Sequence, residues 1–297
     1  MIRHAWPTPA LRSQRIGGLD QAVYEWRLGR NPSETVILLH GWMDSGRTWA
    51  PLVSAMDPRR RYLAIDWRGF GVSQRAPDGR YLVSDYIADL DELLAREVPE
   101  DESVTLIGHS LGGNVAGLYA GIRPERVRRV ISLEGFGLAD GEPTQAPSTY
   151  RRWLDAQGQR NERYFRSFRE LARHIRALNP RLSRAMAVFL AGCWGCPGEA
   201  GGVRLRADPA HRHPSPALYR VSEVLACWRA ISAPVLWVYG ENSRYFEWVR
   251  SQPDWASRCA AVPQLNRQGI AGAGHALAHE APSAVAELIE TYWPRQP

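Results

Sequence analysis

The chain has 297 residues, 44% of them hydrophobic and 23% charged, which is enough for one large α/β domain with an inserted subdomain and ordinary for a soluble globular protein. Its formal net charge of +6 comes entirely from arginine, since the chain contains no lysine. The arginines are scattered without a sustained basic run, which argues against a nucleic-acid partner and leaves attraction of an anionic substrate open. No stretch reaches the roughly 18 apolar residues of a membrane span, and residues 1–7 carry no signal-like apolar segment, so the expected setting is the cytoplasm with no membrane partner.

Residues 21–28 alternate apolar and polar, as a half-buried strand does. Thr35–Leu39 is a continuous apolar run, the mark of a parallel strand covered on both faces, and it ends in His40-Gly41-Trp42. Residues 48–56 have helical spacing. Residues 62–65 read as the next strand, which ends in Asp66-Trp-Arg-Gly-Phe-Gly-Val-Ser73. Val83–Glu97 is an amphipathic helix with Tyr86, Leu90, Leu93 and Leu94 on one side. A short apolar strand from Val104 then runs into Gly108-His109-Ser110-Leu111-Gly112, and residues 114–120 continue with helical spacing. Val127–Leu133 is another strand, ending at Glu134.

Regular alternation stops there. Residues 138–231 are rich in Arg, Pro and aromatics, with helical patches at 150–157, 164–177 and 182–191, a Gly/Pro-rich stretch, and a last patch at 218–228. So long a run between two core strands reads as an inserted cap at 138–231, with residues 1–137 and 232–297 forming the core. Its aromatics are Trp153, Tyr164, Phe165, Phe168, Phe189, Trp194, Tyr219 and Trp228; most are expected to be the cap's own core and the rest to roof an apolar pocket. Arg151, Arg152, Arg160, Arg163, Arg166, Arg169, Arg173 and Arg176 recur around its helices, as a solvated face or, alternatively, a carboxylate clamp. The core pattern resumes at 234–239, ending in Gly240-Glu-Asn-Ser243. A weak strand at Leu265–Ile270 leads to Gly272-Ala-Gly-His275, and 283–293 is a closing amphipathic helix.

Four cysteines are too few for a disulfide framework in a chain this long. Cys193-Trp-Gly-Cys196 with His211 and His213 has the wrong histidine spacing for a Cys₂His₂ site, so metal or redox roles rank below reduced, incidental thiols.

The stretch Gly108–Gly112 fits G-x-S-x-G between a strand and a helix. Such a turn holds a serine in strained backbone geometry with its hydroxyl outward, and the glycines let neighbouring backbone pass close by. The N–H of Leu111, at the helix start, faces any oxyanion forming on a substrate. A plain turn with a structural serine is the bland alternative.

In order and spacing, the Ser110 elbow, the His40-Gly41 turn, the Asp66–Ser73 motif and the late Gly-His275 together resemble the α/β-hydrolase superfamily. The resemblance covers nearly the whole chain apart from the inserted cap, and implies a mostly parallel central sheet flanked by helices. It implies Ser110 as nucleophile, His275 as its base, with His279 a weak competitor, and an oxyanion hole from the N–H groups of Trp42 and Leu111. It also puts His40, Gly41 and Trp42 against the substrate and leaves the Asp66–Ser73 motif a supporting role. The acid departs from the family pattern: its usual position is Ser243, which cannot carry charge. A second placement in the superfamily, the end of the preceding core strand, falls on Glu134, with Glu241 and then Glu247 as alternatives. The reaction implied is hydrolysis of a small-molecule ester or related acyl compound, with no metal or organic cofactor. C–C bond hydrolysis and a non-catalytic binding role are the alternatives, and neither substrate nor oligomeric state is legible.

Overall fold

The computed structural model describes residues 6–29, 32–159, 161–199 and 201–293. The strands are β1 (Ala10–Ile16), β2 (Leu19–Arg27), β3 (Thr35–Leu39), β4 (Arg61–Ile65), β5 (Val104–His109), β6 (Val127–Leu133), β7 (Tyr164–Phe165), β8 (Gly195–Pro197), β9 (Val203–Leu205), β10 (Val235–Gly240) and β11 (Leu265–Ile270). The helices are α1 (Ala50–Val53), α2 (Val83–Glu97), α3 (Leu111–Ile122), α4 (Ala146–Ala156), α5 (Phe168–Leu178), α6 (Arg184–Trp194), α7 (Val221–Arg229), α8 (Arg244–Arg250), α9 (Trp255–Ala261), α10 (Leu277–Glu280) and α11 (Pro282–Tyr292).

Eight strands share one sheet in the order β1-β2-β4-β3-β5-β6-β10-β11. β2 is antiparallel to both its neighbours, and from β4 onward every pairing is parallel. Alternate side chains of a strand point to opposite faces. Val36 and Leu38 accordingly pack with Leu52 of α1 and Ile289 of α11, while Ile37 and Leu39 pack with Leu90 of α2 and Val115 of α3. A strand buried on both faces needs an unbroken apolar run, which is why β3 is readable from its sequence. β11 is the opposite case. It lies at the sheet edge with Asn266, Arg267 and Gln268 exposed, and polar edge strands discourage pairing with another chain.

The sequence pattern does not single out β1, an edge strand whose exposed Ser13 and Arg15 and half-exposed Arg12 and Gln14 dilute its apolar signal. The expected helix at 48–56 is a 3-10 turn (Gly46–Trp49) followed by the single turn of α1. Tyr164 and Phe165 were expected in a helix but form β7, which pairs antiparallel with β9 in a small three-stranded sheet. The helix after them starts at Phe168, where the Ser167 hydroxyl accepts from the Glu170 N–H and caps it.

The insertion between β6 and β10 contributes no strand to the central sheet. α5 and α6 pack on each other, whereas α7 lies along α3. A Cβ placed on Gly121 of α3 would sit 1.9 Å from the Cys227 carbonyl oxygen of α7, so only glycine permits that approach.

Candidate active site

In a parallel sheet the carboxyl ends of the strands open onto one edge, where ligands bind. Here β3, β5, β6 and β10 end at His40, Ser110, Glu134 and Glu241. Among the described residues, the non-glycine residues with positive φ are Met43 (61°), Ser110 (50°) and Glu134 (60°), all just beyond these strands. Such backbone costs of order 1–3 kcal/mol per residue and persists where the surroundings over-determine it.

The elbow explains itself at two glycines. A Cβ on Gly108 would lie 2.3 Å from the Gly112 carbonyl carbon, and one on Gly112 would lie 2.0 Å from the Leu39 carbonyl oxygen. The β5–α3 turn therefore closes on itself and on the end of β3. A Cβ on Gly41 would lie 2.7 Å from the His109 ring, so the turn that carries Trp42 rests directly on the elbow. Leu111 opens α3, where the first N–H groups of a helix have no partner within it.

His275 sits between the elbow and β6. Its Nε2 is 3.1 Å from Ser110 Oγ and its Nδ1 is 2.8 Å from Glu134 Oε2. Glu134 is wholly buried, and its remaining acceptor capacity is met by the Gly240 N–H (2.6 Å) and the Ser243 hydroxyl (2.5 Å). With Nδ1–H donating to the carboxylate, Nε2 is left to accept the serine proton. Ser243, expected at the usual position of the acid, donates its hydroxyl to Glu134 instead. Glu241 and Glu247 are exposed, and among the described residues neither bonds His275.

The loop of His275 is pinned from both sides. The Gly274 N–H donates to Glu280 (2.6 Å), which Asn179 of the insertion also reaches (2.7 Å). His109, the variable residue of the elbow before Ser110, donates from Nε2 to the His275 carbonyl (2.8 Å). Burial, reinforced by the His275 and His279 imidazoles, depresses the His109 pKa to about 3. His109 is therefore a neutral prop beside His275.

A family model for the alpha/beta hydrolase fold matches residues 34–282. The chain belongs to the α/β-hydrolase family. A serine hydrolase-like protein of Danio rerio is 32% identical over 170 residues, covering 54% of this chain and 51% of that protein. The stretch matched is thus about half the length of that relative. Among solved structures, a hypothetical protein from Pseudomonas aeruginosa PAO1 is 27% identical with a TM-score of 0.82, over 97% of this chain and 100% of the other. The thioesterase domain from the curacin biosynthetic pathway is 25% identical with a TM-score of 0.79, over 95% of this chain and 99% of that one.

Not every residue expected at the site of this α/β hydrolase faces it. His40 was placed against the substrate, but it is fully buried. Its Nδ1 bonds the Gly41 carbonyl (2.7 Å) and its Nε2 accepts the Trp67 N–H (3.0 Å). Both nitrogens being spent on backbone, His40 shapes the turn and has no ring nitrogen left to offer a substrate. Gly41 is pressed against His109 in the same way. Trp42 does face outward: it is 53% exposed and its indole N–H donates to the His211 carbonyl of the insertion (3.2 Å). The Asp66–Ser73 motif is scaffolding: Asp66 accepts from the Ser45 hydroxyl, the Gly46 and Val72 N–H groups and the Tyr24 hydroxyl, at 2.6–3.0 Å.

A cavity of about 420 Å³ opens beside Ser110 and His275. Phe165, Leu171, Ile175 and Trp194 of the insertion wall it, with Asp44, His109 and His279 on the core side. Asp44 was missed by sequence reasoning. It is buried and accepts from His279 Nε2 (2.9 Å), Trp194 Nε1 (2.7 Å) and the Ser45 N–H (2.9 Å). The His279 and His40 imidazoles and the indole donor outweigh burial and hold its carboxyl well below the usual range. An acid four residues after a strand-ending histidine was the available signal, but no periodicity marks it. Of the eight insertion aromatics, Phe165, Phe189 and Trp228 are buried, whereas Tyr164 and Phe168 are exposed. Of the eight arginines, Arg160 lies outside the described residues.

The cysteines are all free, and burial pushes the Cys193 thiol up to about 12. His211 is stacked between Phe70 and Tyr81, with centroids 3.6 and 3.7 Å away, and His213 bonds the Gln159 carbonyl. Among the described residues no helix is long and apolar enough to cross a membrane.

Proposed function

We propose that this α/β hydrolase is a serine hydrolase that cleaves a carboxylic ester or related acyl bond through an acyl-enzyme. The supporting observation is the unbroken line from Ser110 Oγ through His275 to the buried Glu134, at 3.1 and 2.8 Å. A hydroxyl near its free pKa is a poor nucleophile and needs such a base.

In this reading His275 Nε2 takes the Ser110 proton as Oγ attacks the carbonyl carbon. The tetrahedral oxyanion is held by the N–H groups of Trp42 and Leu111. His275 then gives the proton to the departing alkoxide or thiolate, leaving an ester on Ser110. A water, deprotonated by the same imidazole, attacks that ester; the carboxylic acid leaves and Ser110 regains its proton. Glu134 stays ionised throughout, fixing the His275 tautomer and stabilising the transient imidazolium. Residues 138–231 serve as a cap whose apolar wall takes the acyl or alcohol part. The name of the thioesterase relative fits acyl transfer to water.

The test is hydrolysis of p-nitrophenyl acyl esters from short to long chain, with Ser110→Ala beside the wild type. The expected loss in the variant is about 10,000-fold or more, and the chain-length profile sizes the pocket. A folded wild type without ester activity that also resists a fluorophosphonate probe would remove the serine mechanism. Labelling without ester turnover would turn attention to C–C cleavage of a diketone acid.

A further inference from the structure

The cavity beside Ser110 is apolar in its walls but not in its charge. Three guanidinium groups border it from separate segments of the insertion: Arg163 before β7, Arg206 after β9 and Arg212 at the end of a short 3-10 turn. Among the described residues none of the three forms an ion pair. Arg60, Arg61, Arg68, Arg75, Arg204 and Arg258, by contrast, have carboxylate partners within 4.0 Å. The cavity's own carboxylate, Asp44, offers no relief, because its oxygens are taken by His279, Trp194 and the Ser45 N–H.

Arg163 and Arg212 are exposed and Arg206 is half-buried, and all three residues line the cavity. The Arg163 guanidinium lies 5.4 Å from the centroid of the Phe165 ring, which is part of the wall. Its charge adds to desolvation in lowering the pKa of His174, another lining residue, so His174 stays neutral and adds no fourth charge at pH 7. Arg206 is half-buried, and its backbone N–H bonds the Trp194 carbonyl (2.8 Å), which fixes its segment against the wall. Arg212 follows His211, whose carbonyl accepts the Trp42 indole, so it stands beside the oxyanion turn. Unpaired cations around a low-dielectric cleft focus their field into it, and a guanidinium matches the flat fork of a carboxylate.

We propose that the substrate is an acyl ester carrying a carboxylate remote from the scissile carbonyl, held by Arg163, Arg206 and Arg212 while its chain lies along the apolar wall. The proposal rests on the serine-hydrolase reading and adds the substrate class. A volume of about 420 Å³ is at the small end for ligand sites, which suits a short dicarboxylic half-ester.

The experiment compares monomethyl esters of straight-chain dicarboxylic acids of increasing length with the dimethyl esters of the same acids, following acid release at constant pH. At the best length the half-ester should have a kcat/KM about tenfold or more above its neutral counterpart, as expected for one charge-assisted contact. That ratio should shrink as sodium chloride is raised. It should also fall about tenfold in Arg206→Gln or Arg163→Gln, and stay at the wild-type value in Arg173→Gln, an exposed arginine of α5 outside the cavity. Equal or better use of the neutral esters, with a ratio indifferent to all three variants, overturns the proposal. Fluorophosphonate labelling run in parallel separates the two levels. Ser110 labelled and neutral esters cleaved without charge preference leaves the serine hydrolase standing and removes the anionic substrate; no labelling and no cleavage removes both.

Discussion

The two sides of the cavity are built on different principles. On the core side the buried carboxylates are spoken for: Glu134 takes three donors, Asp44 three, and Asp66 four. Backbone in rarely occupied geometry is concentrated there too. On the insertion side Arg163, Arg206 and Arg212 border the cavity without a carboxylate partner among the described residues, set in an apolar wall. A saturated network fixes geometry at the cost of adaptability; an unsaturated one waits for a ligand. The core side is therefore where the chemistry is expected to reside, and the insertion is where the choice of substrate is expected to reside.

The largest effect should come from breaking the core side at its centre. Glu134→Gln keeps the shape but presents an amide to Nδ1, which removes the charge and disturbs the tautomer. A drop in kcat of about 10,000-fold is expected, by analogy with the loss of the acid in a Ser-His-Asp triad. Glu241→Gln, one strand over and exposed, should retain wild-type turnover. A Glu241 variant as crippled as the Glu134 one would reassign the acid.

The same contrast decides how much could be read from the chain alone. Ser110 and His275 were legible because a strained turn and a close-approach loop each demand glycines at fixed offsets, and those are visible as letters. Buried strands such as β3 and β6 were legible as unbroken apolar runs. Glu134 was only half legible: the end of its strand could be seen, but its partnership with His275 is made across 141 positions in sequence. His40 was misassigned because a histidine at a strand end looks the same whether its ring faces a ligand or two backbone groups. Asp44, Arg206 and Arg212 were hidden, and Arg163 was read only as one of eight arginines forming a solvated face or a carboxylate clamp, for one reason. Their meaning lies in which charges lack or find a partner, and pairing between segments leaves no local pattern.

A smaller effect should come from loosening the support of Glu134 rather than removing it. Ser243 donates to Glu134 and also accepts the Phe246 N–H, capping α8. In Ser243→Ala the carboxylate keeps its charge, the Gly240 N–H and His275. Turnover should fall about tenfold, the size of one charged hydrogen bond, and stability by about 1 kcal/mol from the lost cap. Ser243→Thr restores the hydroxyl and should recover both. If kcat in the alanine variant fell as far as in Glu134→Gln, Ser243 would be more than a support.

The mildest prediction concerns acid stability, and it isolates His109. Its folded pKa is depressed to about 3 from an ordinary value near 6.5, chiefly by burial. The groups facing it are His275, His279 and Asp44. Between those two pH values the unfolded chain holds a proton on this ring that the folded chain does not, so acidification favours unfolding. The contribution is intact above about pH 6.5 and is lost progressively as pH falls towards 3, at up to about 1.4 kcal/mol per pH unit for one proton. His40 and His211 are depressed in the same direction, also mainly by burial, so the wild-type slope should exceed that of one histidine. Urea unfolding at intervals from pH 7.5 to 4.5 should give a shallower slope for His109→Gln than for wild type, by no more than that one-proton amount. Superimposable slopes would mean that His109 takes up its proton as readily in the fold as in the unfolded chain, and so is charged below about pH 6.5. It would then place a positive charge beside His275 and oppose the imidazolium that the proposed chemistry requires.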